Sequence, residues 1–309
     1  MSNYEVHQDY KDLTINIPMN RWLLPFLRGM TRMLYKKQGI GSDIEHHTIK
    51  ISSYRGYKLP IEIFSPVAMR GEAPCVLYMH GGAFTIPATD FHKKLMCDYA
   101  LHASCRVVFV DYRLAPEYPY PYALEDCYTA YEWIVVNSVA LGFDTEKIGL
   151  CGDSAGGALA AALAQVIRDR GAKKPFFQML IYPVTDSRMK TESMKLFVDT
   201  PIWNQKKNKK MWELYLRGTA GQEGTDYSSP MEAESLKGLS PAFIEVSEFD
   251  CLRDEGIAYF EALKQAGVDA VLNRTEGTIH GFELNYESEY TQSIIAKRIK
   301  FMNDSFVVS

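Results

Sequence analysis

The chain has 309 residues, 47% of them hydrophobic and 23% charged, with a formal net charge of −4. This balance excludes an intrinsically disordered chain, and 6 cysteines over this length exclude a small disulfide scaffold. The net negative charge gives no electrostatic attraction to phosphate, so a nucleic-acid partner is not expected. No membrane span is expected either, because the longest low-polarity stretch, 155–167, falls well short of the ~20 residues a bilayer helix needs.

In chain order, residues 1–12 carry Glu5, Asp9 and Asp12 and no apolar core, unlike a secretory signal peptide. Residues 1–45 lack strand signals but place Trp22, Leu23, Leu24, Phe26, Leu27, Met30, Met33 and Leu34 at partly helical spacing. Segments 48–52 and 59–64 alternate apolar and polar residues, as half-buried strands do. Continuous apolar runs at 75–79 and 107–110 fit strands covered on both faces, and 148–151, 179–182, 243–246 and 270–272 read as further strands. Helical patterns fall between them at 91–103, 121–136, 155–170, 255–266 and 289–303, with Gly267 placed to end one of them. Strands alternating with helices predict a mostly parallel sheet with helices on both faces. Segment 187–217 breaks the alternation as polar and aromatic helix around Trp203, a basic run at 206–210, Trp212 and Tyr215. Segments 1–45 and 187–217 are expected to meet over one face of the sheet as a lid. The basic run reads as a solvated helix face. The cysteines form no C-x-x-C pair and mostly sit in apolar runs, so buried free thiols and a cytoplasmic location are expected.

The chemistry centres on Gly152-Asp-Ser-Ala-Gly156, a G-x-S-x-G between a strand and a small-residue run that opens a helix. Such a turn holds Ser154 in strained geometry and pushes its hydroxyl out above the sheet edge. A phosphate loop is rejected, because no Lys follows the glycines, the spacing is not G-x-G-x-x-G, and Asp153 would repel a pyrophosphate. A serine hydroxyl needs a base. Of seven histidines, His280 alone follows the last apparent strand and precedes the last long helix, at the same sheet edge as Ser154. The third member must be a carboxylate lying between them in the chain and following a strand. Asp250 fits, with Asp254 more suited to a helix first turn and Glu248 a lesser rival. After the run 75–79, His80-Gly-Gly-Ala-Phe84 offers backbone N–H groups that, with that of Ala155, can stabilise an oxyanion, and His80 reads as a loop-orienting residue.

Together, His80-Gly-Gly-Ala-Phe84, Asp111-Tyr-Arg-Leu-Ala-Pro-Glu117, Gly152-Asp-Ser-Ala-Gly-Gly157, and Asp250-Cys-Leu-Arg-Asp-Glu255 with His280-Gly-Phe282 resemble the hormone-sensitive-lipase-like (bacterial family IV) branch of α/β-hydrolase carboxylesterases and acetyl esterases. The resemblance covers about residues 46–309. It implies an α/β-hydrolase fold, with a mostly parallel eight-stranded sheet and a helical cap. The core would be 46–186 and 218–309, and the cap 1–45 and 187–217, not an independent domain. It implies Ser154 as nucleophile, His280 as base, Asp250 as its partner, and oxyanion donors on Gly82, Ala83 and Ala155, with Asp111, Arg113 and Glu117 bracing the loop. Ala83 stands where the family often has a third glycine, so bulky tertiary alcohols are not expected in substrates.

The expected reaction is hydrolysis of short-chain esters, acetyl to about hexanoyl, through an acyl-enzyme. The partner is a small-molecule ester, no metal or organic cofactor is implied, and homo-oligomerisation is left open. Trp22, Phe26 and Trp203 are candidates to line the acyl pocket. The alternatives are a non-catalytic small-molecule receptor on the same fold, and an amidase or peptidase using the same three residues.

Overall fold

The structure, a computed structural model, describes residues 4–15, 18–219 and 227–307. The expected cap therefore includes residues 1–3 and 16–17, and the expected core includes 220–226 and 308–309, which lie outside the described residues. Eight strands, β1 (Ile44–Ser52), β2 (Lys58–Pro66), β3 (Ala73–Met79), β4 (Arg106–Val110), β5 (Phe143–Asp153), β6 (Phe177–Ile181), β7 (Ala242–Phe249) and β8 (Ala270–Ile279), form one sheet. Its order is β1-β2-β4-β3-β5-β6-β7-β8. The β1–β2 and β2–β4 pairs are antiparallel, and every pair from β4–β3 to β7–β8 is parallel. The first strand begins at Ile44, slightly before the expected core boundary.

The central strands read as continuous apolar runs because they are covered twice. Successive strand residues point to opposite faces. Cys75, Leu77 and Met79 of β3 join Val108, Val110, Ile148 and Leu150 in one core, whereas Val76 and Tyr78 join Val107, Phe109 and Cys151 in the other. The first core is closed by α3 (Tyr122–Val136), α5 (Ala155–Asp169) and α8 (Arg253–Gln265), and the second by α2 (Asp90–His102) and α9 (Glu289–Val307). A short α4 (Ser138–Leu141), absent from the sequence expectation, ends at Gly142 in the left-handed region. Gly267 follows α8 at φ +76°, the C-terminal role its position predicts. The six cysteines are buried free thiols.

Outside the layers lie α1 (Leu24–Lys37), α6 (Glu192–Leu196) and α7 (Gln205–Tyr215). The segments preceding α1 and containing α7 meet, with the Ile202 N–H donating to the Ile15 carbonyl and Leu24, Ile86 and Leu214 forming a small apolar cluster. No helix among the described residues is long and apolar enough to cross a membrane.

On the second face, Arg298 of α9 is fully buried between Glu245 of β7 and Glu283, which lies on the short 3-10 turn after β8. Asn273 donates to Glu245 at 2.8 Å, and the Tyr182 hydroxyl donates to Glu283 at 2.6 Å. Burial pushes the Glu245 carboxyl up, and the Arg298 charge only partly reverses this. Removing one member of such a cluster leaves a buried charge without its partner, which typically costs about 3–5 kcal/mol. Arg298→Met is therefore expected to lower unfolding free energy by about 3 kcal/mol or more in urea titrations. A loss under about 1 kcal/mol would contradict this role.

Candidate active site

Strand β5 ends at Asp153, and Ser154 turns the chain into α5 with φ +53° and ψ −117°, a conformation that stores strain in a non-glycine residue. The turn is pinned from both sides. The Ser154 N–H donates to the Ile181 carbonyl at 2.8 Å, and the Ser154 carbonyl accepts from Ala158 at 3.0 Å and Val184 at 3.2 Å. Gly156 is required because a Cβ there would overlap the Met79 carbonyl and lie 2.6 Å from that of His80. The first turn of α5 thus rests directly on the end of β3, and the Ala155 N–H is among the helix N-terminal donors left without an intrahelical acceptor.

His280, just past β8, brings Nε2 to 2.8 Å from Ser154 Oγ, while its Nδ1 lies 2.7 Å from Asp250 Oδ2. Asp250 is fully buried, and its Oδ1 accepts the Leu252 N–H at 3.0 Å. A carboxylate facing Nδ1 fixes the proton there and leaves Nε2 to accept from the serine. The rival carboxylates are occupied elsewhere. Asp254, in the first turn of α8, accepts the Ser193 N–H and pairs with Arg253. Glu248 accepts the Gly277 N–H.

The loop after β3 carries Gly82 at φ +106°, Ala83 at +58° and Phe84 at +55°. Its carbonyls are tied back. That of Gly82 accepts from Thr85 and Ile86, that of Phe84 from Ala115, and that of His80 from the Tyr112 hydroxyl at 2.6 Å. The entry to the loop is held by Asp153, whose Oδ1 accepts the Gly81 N–H at 2.9 Å and the Tyr78 hydroxyl at 2.6 Å. His92 Nε2 lies 3.3 Å from Asp153 Oδ2. A Cβ at Gly81 would collide with that carboxylate, so glycine is needed for the approach. Burial raises the Asp153 carboxyl, but the charge and hydrogen bond of His92 and the Tyr78 hydroxyl outweigh it and hold the group at about 2. The sequence reading did not find Asp153 or His92 in this role. The one available signal was an acid directly before the serine, closing the apolar and glycine run 148–152.

His80 is buried, stacks flat on Tyr112 at 4.3 Å, and bonds through Nδ1 to the Gly81 carbonyl. Desolvation first, and the neighbouring His92 second, lower its pKa from 6.5 to about 3. The expected brace of Asp111, Arg113 and Glu117 is only partly seen. Arg113 instead forms a buried pair with Asp126 and lies over the Tyr57 and Tyr122 rings, because its guanidinium finds a bidentate carboxylate on α3. Asp111 lines a separate cavity with Arg32 and Glu62. Glu117 meets Arg28, and it is Arg28 that reaches the loop, donating to the Thr85 carbonyl at 2.8 Å.

Gly82, Ala83, Ser154 and His280 face one cavity of about 90 Å³, walled by Ile86, Tyr182, Ile202, Trp203 and Leu284. Trp203 lies 5.8 Å from the His280 ring, as anticipated for a pocket aromatic. Trp22 and Phe26 do not line the cavity. They are 78% and 74% exposed, because α1 turns Leu24, Thr31 and Tyr35 inward instead. No grouping of His, Cys, Asp and Glu among the described residues could hold a metal ion.

The family profile described as the alpha/beta hydrolase fold matches residues 76–284. Carboxylesterase NlhH of Mycobacterium tuberculosis is 36% identical over 226 residues, 72% of this chain and 71% of that protein. An ethyl acetate hydrolase of Pseudomonas putida is 32% identical over 239 residues, 76% of this chain and 74% of its own. The crystal structure of esterase LipW from Mycobacterium marinum superposes with a TM-score of 0.90 at 31% identity, covering 98% of this chain and 96% of the other.

A histidine whose folded pKa lies below its unfolded value contributes stability that is full above about 6.5 and is lost as pH falls toward about 3. His80 is accordingly expected to show no imidazole titration by NMR from neutral pH down to about 4.5. A midpoint near 6 would contradict the buried, neutral ring.

Proposed function

The chain belongs to the α/β hydrolase family and is a carboxylesterase, and from that premise we propose that it cleaves short-chain acyl esters through Ser154, His280 and Asp250. The observation that carries this reading is the unbroken relay from Ser154 Oγ to His280 Nε2 at 2.8 Å and from His280 Nδ1 to Asp250 at 2.7 Å. His280 accepts the hydroxyl proton as Ser154 attacks the ester carbonyl, and Asp250 stabilises the imidazolium that results. The N–H groups of Gly82, Ala83 and Ala155 receive the negative oxygen of the tetrahedral intermediate. One such donor is typically worth about 3–4 kcal/mol in the transition state. His280 then protonates the departing alcohol, and in the second half-reaction it takes a proton from water as that water attacks the acyl-enzyme.

A short acyl group, acetyl to about hexanoyl, is supported by the narrow apolar cavity and by the relative named for ethyl acetate hydrolysis. Ala83 projects a methyl beside the oxyanion site, which disfavours tertiary alcohols. Segments 1–45 and 187–217 act as a cap over the core at 46–186 and 218–309. In support, Tyr215 of α7 stacks on Phe84 of the oxyanion loop at 3.7 Å, so the cap bears directly on the loop.

Ser154→Ala is expected to reduce p-nitrophenyl acetate turnover by about 10⁴-fold or more. Its circular dichroism and melting temperature should match the parent. Turnover within tenfold of the parent would overturn the assignment. In a series of p-nitrophenyl esters, kcat/KM should fall beyond hexanoyl; a maximum at long chains would contradict the short-acyl reading.

A further inference from the structure

Helix α1 has two apolar faces and only one of them is covered. Leu24, Thr31 and Tyr35 are buried, and Leu24 packs against Ile86, which also walls the catalytic cavity. On the opposite side Trp22, Leu23, Phe26, Met30, Met33 and Leu34 are exposed, the two aromatic rings by 78% and 74%. At 3.6 residues per turn Phe26, Met30, Met33 and Leu34 fall within an arc of about 100° on α1, and Trp22 and Leu23 stand in the turn that leads into it. They form a continuous stripe rather than scattered apolar residues, and such a stripe marks an interaction surface.

The charge around the stripe is predominantly basic, although Arg32 and Lys36 also line a cavity with Asp111 and Glu62. Positions 21–42 contain no Asp or Glu, although the chain as a whole carries −4. Arg21, Arg32, Lys36 and Lys37 are exposed on or beside α1. Among the described residues, the ion pairs that reach this surface are Arg28 with Glu117 and Lys210 with Glu213; those four cations enter neither, and Arg32 acts at longer range on Asp111. Lys210 of α7 shares a shallow depression with Arg21 and Trp22, and Lys206 and Lys209 are exposed on the same helix. The two segments proposed as the cap therefore present apolar side chains inside a basic rim.

We infer that this face docks on an anionic phospholipid surface, with Trp22 and Phe26 entering the interface and the surrounding cations meeting the headgroups. A helix with exposed Trp, Phe and Leu flanked by Lys and Arg lies in a membrane interface in this way. Charge complementarity selects this occupant over a second copy of the chain, since a symmetric self-contact would set the basic rim against itself. Docking would bring the cap and the Ile86 wall of the cavity toward the lipid. The inference goes beyond the ester-hydrolysis reading, because binding to a vesicle does not depend on turnover.

The test is flotation of the full chain with vesicles of pure phosphatidylcholine and of equimolar phosphatidylcholine and phosphatidylglycerol. The parent should float with the anionic vesicles and not with the neutral ones, and raised salt should weaken the binding. Trp22→Ser with Phe26→Ser should weaken it at least about tenfold, while soluble p-nitrophenyl acetate hydrolysis stays unchanged. Arg32→Glu with Lys36→Glu should weaken it by about fivefold or more per charge removed. Equal binding to both vesicle types, no binding to anionic vesicles, or parental binding by the variants would overturn the proposal. So would a dimer in sedimentation experiments that the Trp22 and Phe26 substitutions dissolve, since that would assign the face to a second copy.

Discussion

The buried carboxylate of Asp153 ties together the parts of the molecule on which the proposed chemistry depends. It stands at the end of β5, directly before Ser154, and accepts the Gly81 N–H, the Tyr78 hydroxyl and a contact from His92. The turn at Ser154, the loop after β3 and α2 are thereby referred to one anion. Burying a charge is costly unless its lone pairs are satisfied. Here the partners more than offset that cost, which is why the group stays ionised to about pH 2. The strained backbone at Ser154, Ala83 and Phe84 can persist because these fixed points over-determine it.

A second buried polar cluster positions His280, the proposed base, in a similar way. Glu283 lies three residues after His280, and Arg298 anchors it to Glu245 on the sheet. Tyr182 donates to Glu283 and also sets its ring 4.6 Å from the His280 imidazole. The position of His280 thus rests on α9 and β7 as well as on Asp250. The rigid elements hold Ser154, His280 and Asp250 within hydrogen-bond distance of one another, as catalytic geometry requires.

Much of this was legible in the sequence because the relevant signals are local or ordinal. Two-sided burial produces uninterrupted apolar runs, so β3 and β4 could be read directly from 75–79 and 107–110. Ser154, Asp250 and His280 could be singled out because each follows a strand at the same sheet edge, and chain order alone separates His280 from six other histidines. The roles of Asp153, His92, Arg28 and the Glu245–Arg298–Glu283 cluster could not be read. Each depends on partners far apart in the chain, such as His92 and Asp153 across 61 residues or Arg28 and Thr85 across 57, with no spacing to announce them. The bracing role expected of Arg113 failed for the same reason, since Asp126 is its nearest bidentate partner only in three dimensions. Apolar spacing marked α1 as a helix but could not say which of its two apolar faces turns inward, and so Trp22 and Phe26 stood as pocket candidates although they lie on the surface.

The central claim is that the polarised hydroxyl of Ser154 is the group that takes up the acyl chain. Its most direct test is labelling with a fluorophosphonate, followed by intact-mass measurement and peptide mapping. One adduct per chain on Ser154, with labelling strongly slowed in His280→Ala, is the predicted result. An adduct on another residue, or no adduct on protein that still hydrolyses esters, would contradict it.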